Sequence, residues 1–407
     1  FNAMDFDAVA VGNHEFDKGL EIPERMSAAM HQRFLCANIF RAGTDELVDW
    51  VQATRVVEKA GLRIGLVGAI TPETASMAFA ENVAGLEFGP VVPALEKGRD
   101  HLIRDEKVDL VVAVIHEGLP YDPDQGWQEL VDRVREGDDL REDPHGAMQV
   151  AHVVRGIPIF VGGHTHRGYR EPWIDPVTQA MVFESYGNGS SVGHAEILID
   201  RETGQVLGYE TPRRDGTLVT LFSDEWWPDE KMEEALAPYI EEARAGLDEV
   251  VGRSTVGLTR SGAALSRMGI FITRAMREAL EGDLAFTNTG GLRADLSSGD
   301  ITRGDLMRVL PFGNALVAVQ MDGRTIRRVF ERKSGRNSSG MAFDGMKVVV
   351  DPDAPRGRRV LELTLADGTP IAPDALYRVV TSDFLMEGNS GLDFLAEIPP
   401  DQVEYTG

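Results

Sequence analysis

The chain has 407 residues, 43% hydrophobic and 26% charged, an ordinary globular composition that is too long for one core, so two domains are expected. A formal net charge of −25 argues against binding to a nucleic-acid polymer, which depends on clustered Lys and Arg, and an anionic substrate must be attracted locally by metals or arginines. The single cysteine, Cys36, excludes an internal disulfide and any cysteine-based metal cluster, and no apolar run approaches the ~18 residues of a membrane span.

In chain order, strands are predicted over 7–11, 34–38, 63–69, 108–116, 158–162, 181–185 and 195–200, with helices over 22–32, 91–104 and 146–155. Alternation of this kind predicts a layered α/β domain. The polar, Gly- and Asp-rich stretch 120–144 reads as a long loop with a short helix. After Pro228, Met232, Leu236, Tyr239, Ile240, Ala243, Leu247 and Val250 keep helical spacing, so a bridging helix is expected, kinked or restarted at Pro238. The expected division is 1–223, the bridge 224–250, and 251–407. The last part reads as a separate, smaller α+β domain, with strands over 315–321, 346–350, 360–365 and 377–382 and helices over 268–280, 304–308 and 323–332. Because the chain opens at Phe1 and runs almost directly into a strand, an amino-terminal piece is expected to be missing.

Three of the predicted strands deliver histidine-bearing loops. The first leads into Gly12-Asn13-His14-Glu15-Phe16-Asp17, the second into His116, and the third into Gly162-Gly163-His164-Thr165-His166. Loops at the carboxyl ends of parallel strands converge on one crevice, so these residues are expected to meet there. One isolated histidine is usually a satisfied surface or core residue, whereas three such loops together point to a metal site. Imidazole and amide oxygen suit Mn, Zn, Mg or Fe. Asp17 alone reads equally well as the start of a helical turn.

Gly12-Asn13-His14-Glu15, His116 and Gly163-His164-Thr165-His166 resemble the calcineurin-like metallophosphoesterases, and the longer string through Asp17 resembles the 5'-nucleotidase branch. The resemblance implies two divalent metals, with Asn13, His116 and His164 on one and His166 on the other. It also implies that His14 sits over the phosphate and protonates the leaving oxygen, with Asp17 orienting its ring. The family's Asp-x-His and Gly-Asp motifs, which supply the bridging carboxylate, belong before Asn13 and do not occur in the twelve residues there. The chain is thus read as a fragment rather than a degenerate relative, and as given it is expected to hold metal weakly or not at all.

In the second half, Thr287-Asn288-Thr289-Gly290-Gly291-Leu292-Arg293 combines a paired glycine, which lets backbone approach a ligand, with an arginine able to hold a phosphate or carboxylate. With Leu310-Pro311-Phe312-Gly313-Asn314 and Ser382-Asp383-Phe384-Leu385, it resembles the carboxy-terminal substrate-binding domain of 5'-nucleotidases. The resemblance implies that Asn288, Gly290, Gly291 and Arg293 contact substrate and that Phe312 and Phe384 stack on a base; from sequence alone either phenylalanine could as well pack in a core. The family's Gly-Gly-Asp-Gly reads Gly388-Asn389-Ser390-Gly391 here, leaving the displaced Asp393 as candidate for the sugar. The stretch 261–275 lacks a clear phosphate-contacting arginine, with Arg260 or Arg267 as substitutes.

Together these imply hydrolysis of nucleoside 5'-monophosphates or related small phosphoesters by a metal-bound hydroxide, with hinge closure at the bridging helix. The alternatives are a cyclic-nucleotide phosphodiesterase, a nucleotide-sugar hydrolase or a sulfur-ester hydrolase on the same scaffold, or a non-catalytic nucleotide-binding relative. The family is often exported, so a periplasmic or secreted location is expected ahead of a cytoplasmic one.

Overall fold

The computed structural model describes every residue except Asp143, Asn188, 212–215, Ser223, 263–265, 336–339, Arg356, Pro400, Asp401, Thr406 and Gly407. Parts of the stretches 120–144 and 261–275 singled out above therefore lie outside the described residues. Contacts divide the chain into two compact units, Phe1–Asp229 and Glu230–Gly407. Among the described residues, no helix is long and apolar enough to cross a membrane.

The first unit is built on a six-stranded sheet in the order Thr54–Lys59, Leu62–Ile70, Leu110–His116, Ile159–Gly162, Met181–Glu184, Trp173–Ile174. Its four central strands are parallel and both edges are antiparallel. Alternation along Leu110–His116 buries Val111, Ala113 and Ile115 against the helices Val91–Arg104 and Gly146–Val153, through Leu95, Leu102 and Val150. Leu110 instead joins Ile159 and Met181 on the opposite face, under the hairpin residues Ile197, Ile199 and Val206. A residue pattern of period two thus places helices on one face and a hairpin on the other.

Four expectations need correction. The run 7–11 is not a strand: only Ala10 bridges to Leu35, because the neighbouring strand Phe34–Leu35 offers two residues and pairs with Val51–Gln52 as well. The expected strand 34–38 ends at Leu35, and Asn38 is fully buried with its amide bonded to the backbone of Ile70 and Gly89. The stretch 120–144 contains a 14-residue helix, Pro123–Glu136. Asp122 caps it through the N–H groups of Asp124 and Gln125, Pro123 opens it, and Gly137 closes it at φ 91°. Its polar composition hides a core-facing face of Gly126, Trp127 and Leu130. The helix Glu230–Arg244 runs through Pro238 as one segment and has no buried residue.

A buried pair secures the far edge of this unit. Asp175 is fully buried, and its carboxylate accepts from the backbone of Val177 and Thr178 and meets Nδ1 of His152 at 2.7 Å. Burial raises the Asp175 carboxyl, but the His152 ring and the N–H groups of Thr178 and Val177 outweigh it and hold the group below its ordinary value. Asp175→Ala strands these partners and is expected to cost about 3 kcal/mol. Because the folded-state value is depressed, this stability is present above pH ~4 and is lost as pH falls through the folded value. Urea midpoints measured at pH 7 and pH 3 check it: the gap between wild type and variant should narrow at the lower pH.

The second unit carries a five-stranded sheet in the order Met341–Asp344, Leu284–Asn288, Leu376–Ser382, Leu316–Asp322, Val403–Tyr405. Ala285 and Val380 face the helix Arg267–Ala279, while Leu284, Phe286 and Val379 face the helix Gly323–Lys333. The strand Leu284–Asn288, which the sequence reading omitted, is buried at four of its five positions.

Candidate metal centre and substrate-binding loops

The carboxyl end of Leu110–His116 delivers His116 at its last position, and Ile159–Gly162 delivers the loop holding His164 and His166. Asn13 and His14 sit on a short 3-10 helix, Asn13–Phe16, seated by Phe16. That ring is fully buried, with Phe88 edge-on at 5.4 Å and Trp50 tilted at 6.1 Å. Seating Phe16 leaves Asn13 facing inward and His14 facing out. One glycine permits the approach: a Cβ on Gly12 would lie 2.7 Å from Cε1 of His116, so residue 12 has to lack one.

The structure brings all four expected metal donors and His14 into one neighbourhood. Oδ1 of Asn13 lies 2.7 Å from Nε2 of His116, which lies 3.2 Å from Nδ1 of His164. The His14 and His166 rings are 6.4 Å apart between centroids. Nδ1 of His14 meets Oδ2 of Asp17 at 3.0 Å, so Asp17 acts on the ring as well as following the 3-10 turn. Burial first, then the neighbouring His164, His14 and His166, hold His116 down to about 3, keeping the imidazole neutral, the form that binds a cation. Donor atoms about 3 Å apart suit neighbouring ligands at ~2.1 Å from a divalent ion. Among the described residues, no three His, Cys, Asp or Glu side chains are arranged to hold a metal. The donor set reaches three only by counting the Asn13 amide.

His164 and His166 adopt φ of 78° and 57°. Left-handed backbone costs a non-glycine residue about 1–2 kcal/mol, so this loop needs an external restraint. Two buried carboxylates lie beside it. Burial pushes Glu117 up to about 8 against a hydrogen bond from Thr71. Burial likewise pushes Glu184 up to about 7, against the Thr165 hydroxyl and the N–H groups of Leu119 and Arg167. The sequence reading passed over both. For Glu184 the available signal was a charged residue ending the apolar run Met181-Val182-Phe183.

In the second unit, the parallel strands Leu284–Asn288 and Leu376–Ser382 end on the sheet edge where the antiparallel Leu316–Asp322 begins, with Leu316 opposite Ser382. The loops containing 289–293, 312–315 and 383–391 therefore issue from one edge. Ala315 and Asp383 exchange hydrogen bonds, tying the Phe312 loop to the Phe384 loop. Arg293 donates to the carbonyl of Gly290 at 3.2 Å, and its guanidinium lies 5.7 Å from the centre of the Phe312 ring. Asn288 ends its strand beside Gly290 and Gly291, both in the 3-10 turn Thr289–Gly291. Phe312 and Phe384 are half-buried, Phe384 packing partly against the core. Asp393 instead starts another 3-10 turn, exposed, with its carboxylate 3.2 Å from Arg332. Arg260 is engaged by Asp295 and the Leu292 carbonyl. Oδ1 of Asn314 and Nδ2 of Asn389 are buried without a hydrogen-bond partner among the described residues. The sequence reading quoted both residues in motifs and assigned neither a role.

Residues 250–397 match the family described as 5'-nucleotidase, C-terminal domain. The chain is similar to endonuclease YhcR of Bacillus subtilis, at 24% identity over 93% of this chain and 30% of that protein. It is similar to UshA of Yersinia enterocolitica, at 25% identity over 98% of this chain and 74% of UshA. The chain thus spans about a third of the first relative and about three quarters of the second. Among solved structures, a 5'-nucleotidase precursor from Thermus thermophilus matches with a TM-score of 0.82 and 24% identity, over 98% of this chain and 78% of that one. The fold is a layered metallophosphoesterase α/β sandwich followed by a smaller α+β domain of the 5'-nucleotidase carboxy-terminal type. Residues 250–397 thus belong to the 5'-nucleotidase carboxy-terminal domain family, and nearly the whole chain shares the fold of that 5'-nucleotidase precursor.

Proposed function

We propose that this chain carries the catalytic and substrate-recognition parts of a metal-dependent hydrolase that releases phosphate from nucleoside 5'-monophosphates or related nucleotides. The observation that carries the reading is the meeting of Asn13 Oδ1, His116 Nε2 and His164 Nδ1 beside the His14–Asp17 pair. Asn13, His116 and His164 would hold one divalent ion (Mn, Zn, Mg or Fe) and His166 would contribute to a second. Such ions supply an acidified water and neutralise charge on phosphoryl oxygens. His14, oriented by Asp17, would protonate the departing oxygen. Arg293 would grip an anionic group, and Phe312 and Phe384 would sandwich the base. The likeness to a 5'-nucleotidase precursor supports this substrate class.

Phosphate release from AMP, UDP-glucose and a cyclic nucleotide by the full-length protein, with Mn²⁺ added, tests the reading; no turnover on any of them sinks it. Arg293→Ala is expected to raise the KM for the best substrate about 10- to 100-fold with a smaller effect on kcat, because a charge-assisted hydrogen bond contributes about 1.5–3 kcal/mol. A second reading, a non-catalytic nucleotide binder, is favoured by the lack of three His, Cys, Asp or Glu donors in one cluster among the described residues. AMP binding by calorimetry without turnover would select it.

A further inference from the structure

Glu184 is the last residue of its strand and stands in register with Gly162, the point where the His164 loop leaves the neighbouring strand. Its side chain is buried, at 4% exposure, and its two oxygens go to different loops. Oε2 accepts from the backbone N–H of Leu119 at 2.7 Å, in the segment that follows His116. Oε1 accepts from the hydroxyl of Thr165 at 2.6 Å, between His164 and His166. The N–H of Arg167, immediately after His166, also bonds to this carboxylate. The two loops are joined a second time by the N–H of Gly163 donating to the carbonyl of Glu117 at 3.0 Å. They approach so closely that a Cβ on Gly118 would lie 2.4 Å from the Thr165 methyl.

Thr165 therefore has its backbone between two left-handed histidines and its hydroxyl on a carboxylate from a third strand. A carboxylate serving only to satisfy the Thr165 hydroxyl would not also accept N–H groups from two separate loops. We propose that Glu184 is a positioning residue, locking the His116 loop and the His164–His166 loop into one rigid body through Leu119 and Thr165, and so presenting the three histidines together. The proposal rests on the reading of those histidines as metal donors. Outer partners that orient metal ligands contribute about 10- to 100-fold in metal affinity.

The test compares Glu184→Gln, Thr165→Val and Thr165→Ser in the full chain by two independent measurements. Hydrogen–deuterium exchange without metal reads the lock directly. Glu184→Gln and Thr165→Val should each raise exchange at least about tenfold in both 116–121 and 162–168, with the central strand Leu62–Ile70 unchanged, while Thr165→Ser, which keeps the hydroxyl, behaves as the wild type. Co²⁺ titration followed by visible absorption reads the consequence. The first two variants should weaken Co²⁺ binding about 10- to 100-fold, with Thr165→Ser within about twofold of the wild type. Wild-type exchange in either loop of Thr165→Val, or equal damage from Thr165→Ser, overturns the lock. A full-length wild type that takes up no Co²⁺ while the exchange pattern holds overturns the metal-donor reading of "Proposed function" instead.

Discussion

His14→Ala is expected to lower phosphate release about 100- to 10,000-fold while leaving Co²⁺ affinity within about twofold of the wild type. The split follows from geometry. The contacts joining Asn13, His116 and His164 run through Nε2 of His116, whereas Nδ1 of His14 faces Asp17 at 3.0 Å. Its side chain is 40% exposed, as a group that must reach substrate and exchange protons with water would be. A positioned acid contributes to the transition state and adds nothing to holding an ion, so kcat should fall and metal content persist. Asp17→Asn keeps the shape and weakens the ring's orientation, so a smaller loss in the same direction is expected. Initial rates and a Co²⁺ titration on the same preparation decide it; loss of metal on His14→Ala would show that His14 is a donor and not an acid.

A single added methyl should do comparable damage by another route. Gly12→Ala places a carbon 2.7 Å from Cε1 and 2.9 Å from Nδ1 of His116. That ring has little freedom to retreat, because its Nε2 is engaged by Asn13 and His164 and a buried strand carries it. Forcing a group into a packed site costs about 1–3 kcal/mol, and here the yielding part is a proposed ligand. Thermal melting should drop accordingly, and Co²⁺ binding should weaken at least about 10-fold. Gly193→Ala is the control: an added Cβ there meets nothing within 4 Å, so stability should stay within about 0.5 kcal/mol. A Gly12→Ala protein that melts and binds Co²⁺ like the wild type would remove ring packing as the reason for the glycine.

Elements with strong periodic patterns were readable before any fold was known. The helix Val91–Arg104 and the strands Met346–Val350 and Val360–Leu365 occur within their expected bounds. Failures occurred where side chains or partners override the pattern. The 7–11 run has strand composition and only a single bridge to pair with, and the apolar run from Phe34 leaves the ladder after Leu35, with the Asn38 amide turned inward. The polar helix Pro123–Glu136 carried its start and stop signals, Asp122-Pro123 and Gly137, in plain view.

The sequence by itself placed His116, His164 and His166 on strand-end loops, because a parallel sheet delivers its carboxyl ends to one side. Asn13 and His14 reach the same neighbourhood on a 3-10 turn that no strand of the sheet delivers. The sheet edge that gathers Asn288, Arg293, Phe312 and Phe384 was not legible in this way, since the buried strand Leu284–Asn288 carries no alternating pattern to mark it. Only the tertiary structure decided how those residues are held. The neutrality of His116, the left-handed backbone of His164 and His166, and the grip of Glu184 on two loops all depend on burial and on contacts between distant segments. It also directed Asp393 toward Arg332. Local pattern specifies which elements form and which way their ends point, whereas burial and cross-strand hydrogen bonds exist only once those elements are packed.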